Sequence, residues 1–146
     1  MKSEDLFNET RLLFHTLKHW AETPQNGLEL TVPMRGVLEL LLLQGPTAAP
    51  GMARARGVSR QHIQQQVDAL LRKGFVERQN NPAHRRSSLI GLTDKGRALI
   101  QNMRADELDA LSRLQVGVSD AAVQEAAQVL VAWREALRED IERRAS

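Results

Sequence analysis

The chain has no cysteine among its 146 residues, which excludes disulfides, thiolate metal sites and thiol-based redox sensing. Aromatic residues are scarce, at 3%. Leu, Val and Ala carry the apolar content instead, a usage that favours helices. Long apolar runs are missing too: Val37 to Leu43 is interrupted by Glu39 and falls far short of the roughly 20 residues that a spanning helix needs. The opening residues, Met1-Lys2-Ser3-Glu4-Asp5, are polar and acidic, unlike the basic start of a secretory leader. These absences lead to the expectation of a cytoplasmic protein with no membrane partner. At 42% hydrophobic residues the chain is too apolar to be disordered, and its length suits a single domain over 1–146 with its own core.

The net charge of +2 hides an uneven distribution. From Arg54 to Arg97 ten basic residues face only Asp68, Glu77 and Asp94, so that stretch carries +7 and the remainder −5. A basic centre between acidic ends is the pattern of a nucleic-acid-binding segment inside a non-binding frame.

Hydrophobic spacing and capping residues organise the chain into six helices and a hairpin. A first helix over 4–21 places Leu6, Leu13, Leu17 and Trp20 on one stripe. Thr23 to Gly27 is a turn cluster. A second, centrally buried helix begins near Pro33, runs through Leu43 and is closed by Gly45-Pro46. A short helix opening at Pro50 stops at Gly57, and Ser59 caps a longer one from Arg60 to Lys73 that Gly74 ends. Strands are predicted over 75–79 and 88–92, with Asn80 to Arg86 as the loop between them. Thr93 caps a further helix, Gly117 breaks it, and Ser119 caps the last. The expected fold class is therefore mainly α with a small β-hairpin wing: a winged helix-turn-helix lobe over 30–98, flanked by helices in 1–22 and 99–146.

Two helices joined by a tight turn at Gly57 form a helix-turn-helix, whose second helix can lie in the major groove of double-stranded DNA. Ile63, Val67, Leu70 and Leu71 share its inward face; Gln61, Gln65, Asp68 and Arg72 share the opposite one, with His62 and Gln64 on the flanks. Gln can pair with adenine and Arg with guanine, so the outward face has base-reading chemistry. Arg54, Arg56 and Arg60 surround the turn, where phosphates would pass. His84, Arg85 and Arg86 form the basic tip of the ribbon, suited to a narrow minor groove. Each part has a plain alternative, a solvated helix face or an exposed turn; their conjunction in this order is far more specific.

Val58-Ser59-Arg60-Gln61, Val67-Asp68-Ala69-Leu70, Lys73 to Arg78, Arg85-Arg86-Ser87 and Leu92 to Gly96 together resemble the DNA-binding core of the MarR family of transcriptional regulators. The resemblance implies that Ser59 to Gln65 enter the major groove, that Arg86 sits at the wing tip, and that the first helix and the last two form a homodimer interface. It also implies a small aromatic or anionic effector in a cleft that His19, Trp20, Met34 and Arg35 could line. Two positions depart from the family pattern. His84 stands where an Asp commonly steadies the wing arginine, which leaves either a more mobile wing or Asp68 as the partner, and Gln65 stands where many members have Arg or Lys.

His15 and His19 lie four apart and could face one metal ion, but no third ligand is near in the sequence, so a polar or dimer-facing surface is the reading adopted and no metal or cofactor is expected. Phosphate loops, a nucleophile elbow and an HExxH site are all missing, which argues against an enzyme. The expectation is a homodimeric regulator, a repressor, on a palindromic operator and under effector control. Its rivals are a winged-helix protein-interaction module and a constitutive DNA binder without an effector.

Overall fold

The computed structural model of the chain describes residues 2–21 and 30–146, so the turn cluster at 23–27 lies outside the described residues. The elements run in the order α1 (Lys2–Ala21), α2 (Val32–Gln44), β1 (Thr47–Ala48), α3 (Ala49–Arg56), α4 (Arg60–Lys73), β2 (Val76–Gln79), β3 (Leu89–Leu92), α5 (Asp94–Ser112) and α6 (Asp120–Ala145). The chain divides into two compact units, 1–107 and 108–146.

The core of the first unit is built on α2. Thr31 caps this helix by accepting from the Met34 N–H at 3.3 Å, and Pro33 sits in the first turn, where its missing N–H costs nothing. Met34, Val37, Leu38, Leu40 and Leu41 are all buried, in line with apolar residues on nearly every side of the helix. Met52 of α3, Ile63, Val67 and Leu70 of α4, Ile90 of β3 and Ile100 of α5 close around it. Each fully buried aliphatic side chain contributes about 1.5–3 kcal/mol, so this cluster is what sets the angle of α4.

Both helices of the helix-turn-helix end in the same way. The Gly57 N–H bonds to the Arg54 carbonyl and the Val58 N–H to that of Ala53, with Gly57 at φ 65°, a left-handed conformation that a side chain disfavours. At the end of α4 the Gly74 N–H bonds to Leu71 and the Phe75 N–H to Leu70. These paired bonds satisfy the last carbonyls and turn the chain sharply. The second of them also uses the Phe75 N–H on the helix, so β2 begins at Val76, one residue later than predicted.

The sheet has three antiparallel strands in the order β1-β3-β2, one more than the hairpin expected. Thr47 pairs with Ile90 and Ala48 with Leu89, while Val76 to Gln79 pair with Leu92 to Leu89. Helix α5 ends at Ser112; the Arg113 and Leu114 N–H groups bond back to Ala110 and Leu111, tightening its last turn.

In the second unit, Ser59's counterpart as a cap is Ser119, whose Oγ accepts from the Ala122 N–H at 3.2 Å to start α6. Helix α6 has no buried residue: Val123, Leu130, Leu137 and Ile141 stand exposed along it. Leu12, Leu13, Phe14 and Leu17 are likewise exposed on α1.

Candidate nucleic-acid interface

The first turn of α4 is fixed by Ser59, whose Oγ accepts from the His62 N–H at 3.1 Å. With Ile63 and Val67 fully buried on the inner side, Arg60, Gln61, Gln64 and Gln65 are exposed on the outer side. His62 is half-buried. The sequence-derived faces of this helix are therefore those observed.

The loop between β2 and β3 is shaped by its own hydrogen bonds. Asn81 Oδ1 accepts from the Ala83 N–H at 3.1 Å, the Asn81 carbonyl from the His84 N–H at 3.2 Å, and the His84 carbonyl from the Ser87 N–H at 3.3 Å. His84, Arg85 and Arg86 are all exposed at this tip. Asp68 pairs with Arg78 in β2, at 3.9 Å, and so does not take the place of the missing wing acid. Its other partner is Gln64, whose Nε2 donates to Asp68 Oδ1 at 2.9 Å.

Helix and wing meet in one groove of about 480 Å³, lined by Arg60, Gln61 and Gln64 of α4, Arg78 of β2, Arg86, Ser87 and Ser88 of the loop, Ile90 of β3, and Ala49 and Pro50 at the start of α3. Three guanidinium groups and two amides face this space, and no carboxylate lines it. Such a surface attracts a polyanion and offers it hydrogen-bond donors and acceptors. Four of the sequence-derived candidates, Arg60, Gln61, Gln64 and Arg86, share this groove. Gln65 and Arg85 are exposed but are not among its lining residues. Arg54 and Arg56 are exposed in the last turn of α3, and the Arg56 guanidinium lies against Gly36 of α2, in the space a Cβ there would fill.

Arg78 was not among the candidate residues, although it belongs to the basic stretch that the charge distribution singles out. Its strand position gives no hint of the groove, because the neighbours that form it come from α4 and the wing loop.

The residues considered for an effector are placed differently. His19 is exposed and Trp20 half-buried in the last turn of α1. Met34 is 4% exposed and packs in the core. The Arg35 guanidinium is engaged by two carboxylates, with Nε 2.9 Å from Glu39 Oε1 and Nη2 against Glu107. Among the described residues, no group of three or more His, Cys, Asp or Glu could hold a metal ion. No helix among them is long and apolar enough to cross a membrane.

The family model described as MarR family matches residues 29–87, the stretch from the approach to α2 through the wing. An uncharacterized protein of Mycobacterium tuberculosis, Rv2011c, is 37% identical over 75 residues, covering 51% of this chain and 52% of its own length. The chain thus spans about half the length of the curated relatives it matches. Likeness to solved structures extends further. A MarR family transcription regulator, SP03579, is 28% identical with a TM-score of 0.78 over 97% of this chain and 95% of that one. The Staphylococcus aureus MarR in complex with salicylate and kanamycin gives a TM-score of 0.81 at 18% identity, covering 95% and 94%. Streptococcus pneumoniae FabT in complex with DNA gives 0.74 at 16% identity, covering 95% and 99%. Over residues 29–87 the chain is similar to the MarR family, and its fold is the winged helix-turn-helix of the solved MarR family structures it resembles.

Proposed function

We propose that this chain is a DNA-binding transcriptional regulator, acting as a homodimer in the cytoplasm, and that double-stranded DNA is its principal partner. The observation that carries the reading is the groove in which Arg60, Arg78 and Arg86 stand around the amides of Gln61 and Gln64. Cations at the rim suit phosphates, and amides on an exposed helix face suit base edges. FabT, which shares the fold, was solved with DNA, and this supports the same partner here. A protein-interaction module is the weaker reading, because interface centres are depleted in charge and this groove is not.

Two copies related by a twofold axis would place their α4 helices in successive major grooves, about 34 Å apart, on a palindromic operator. The exposed apolar residues along α6, and separately those along α1, support self-association, since large apolar side chains in such number are normally covered. Occupying an operator in this way makes repression the simplest outcome. The regulator has no enzymatic role.

Control by a small aromatic anion is the finer part of the proposal. It is supported by the salicylate complex of the S. aureus MarR. In this chain an anion could reach Arg35 only by displacing Glu39 or Glu107. An effector would therefore act through that ion pair, with differential affinity for two states of the lobe.

Selection of bound duplexes from random DNA, with and without aromatic acids, tests these points together. Recovery of a palindromic site that is lost on adding an acid supports all of them. Recovery of a site that no acid affects leaves a constitutive regulator. No enrichment of any sequence at low salt contradicts the proposal.

A further inference from the structure

The geometry points to Gln64 as a specificity-determining residue that presents a hydrogen-bond acceptor to the major groove, held in that orientation by Asp68. This rests on the DNA-binding reading given above. The two ends of a glutamine amide are nearly alike in shape, and only their hydrogen-bond partners tell them apart. Here the partner is decisive. A carboxylate only accepts, so the end of Gln64 that lies 2.9 Å from Asp68 Oδ1 must be the NH₂ group.

The carbonyl end, Oε1, is then the end turned away from Asp68, on a residue that lines the groove. Among the described residues nothing donates a hydrogen bond to it. Asp68 is in turn held from the wing side by Arg78, at 3.9 Å. The chain Arg78–Asp68–Gln64 joins a sheet residue to a recognition-helix residue, so the amide is oriented before any DNA arrives.

The chemistry of the bases then names the ligand. In the major groove the exocyclic donors are adenine N6 and cytosine N4, whereas guanine O6 and thymine O4 are acceptors. A fixed acceptor at Gln64 selects an amine-bearing base on the strand it faces and repels a keto base. Asp68 acts as a positioning residue: it touches no base and works through Gln64.

The test uses the full chain and a duplex recovered by selection from random DNA. Each adenine is replaced in turn by purine, which lacks the 6-amino group, and each cytosine by 2-pyrimidinone, which lacks the 4-amino group. The wild-type chain should lose roughly ten-fold in affinity at one position per half-site. Gln64→Leu should show no loss at that position, and Asp68→Asn should reduce it to about three-fold or less, because an Asn partner no longer dictates which end of the amide faces it. Gln64→Leu should keep the wild-type salt dependence, and Asp68→Asn should keep or steepen it, since it removes the carboxylate beside Arg78; a misfolded lobe would lose it in both. If Gln64→Leu keeps the full sensitivity, Gln64 does not read that base. If Asp68→Asn behaves as wild type, the positioning role is wrong. Binding with either result leaves the regulator reading intact, whereas failure of the wild-type chain to retain any duplex at low salt removes both.

Discussion

Gly96, in the first turn of α5, lies so close to Phe75 that a Cβ at residue 96 would overlap the Phe75 carbonyl oxygen. Thr93 locks the same corner: its N–H bonds to the Phe75 carbonyl at 3.2 Å, its Oγ1–H donates to the Gly74 carbonyl at 2.7 Å, and its Oγ1 accepts from the Gly96 N–H at 3.0 Å. This corner fixes the exit of β3 and the start of α5 against the end of α4, and so helps to set where the wing stands relative to the recognition helix.

Because the obstacle is backbone and cannot rotate away, Gly96→Ala should destabilise the chain by about 3 kcal/mol. Gly51→Ala is the contrast. Its nearest neighbour would be Thr47 Cγ2 at 3.2 Å, a side-chain methyl that can give, and the change should be close to neutral. Urea unfolding of the two variants measures the difference; equal midpoints would mean that the corner is not under steric constraint.

Ser59→Ala should cost about 1 kcal/mol, since it removes the acceptor for the His62 N–H at the start of α4. Thermal unfolding gives the value. A loss of DNA affinity with no loss of stability would instead assign Ser59 to phosphate contact alone.

Arg35 joins Glu39 of its own helix to Glu107 of α5, with 15% of its side chain exposed. Arg35→Met leaves two carboxylates facing each other without their shared cation and should cost about 2 kcal/mol. Glu107→Gln leaves Arg35 with Glu39 and should cost under about 1 kcal/mol. If urea titrations rank the two the other way, the cation is not what links α2 to α5.

Self-association should depend on the apolar stripe of α6. Leu130, 41% exposed, and Leu137, 48% exposed, present large apolar surface with nothing buried beside them on that helix. Sedimentation should report a dimer for the wild-type chain and a shift toward monomer for Leu130→Glu and Leu137→Glu. A wild-type chain that sediments as a monomer at micromolar concentration would contradict the homodimer.

How much of this was legible in the sequence depends on whether local chemistry or distant contact decided it. Helix α4 could be bounded at Arg60 and Lys73 because Ser59 and Gly74 act locally, through one side-chain acceptor and one turn. Its inner and outer faces followed from helical spacing. Strand β1 could not be anticipated: Thr47–Ala48 is too short to show alternation and is a strand only because Ile90 and Leu89 lie beside it. The same holds for Arg78, which reaches the groove through tertiary packing, and for its pairing with Asp68, since the two lie on different elements. The pairing of Arg35 with Glu107 was equally out of reach, because the two are distant in sequence.

If the groove holding Arg60 and Arg86 binds DNA through its charge, affinity must depend on salt. Titration of a labelled duplex with the full chain should give an affinity that falls linearly on logarithmic axes as salt rises, with a slope of roughly 0.9 per phosphate neutralised. Arg86→Ala should weaken binding to all sequences and reduce that slope by about one counterion. An unchanged slope in Arg86→Ala, or no salt-dependent binding by the wild-type chain at low ionic strength, would contradict it.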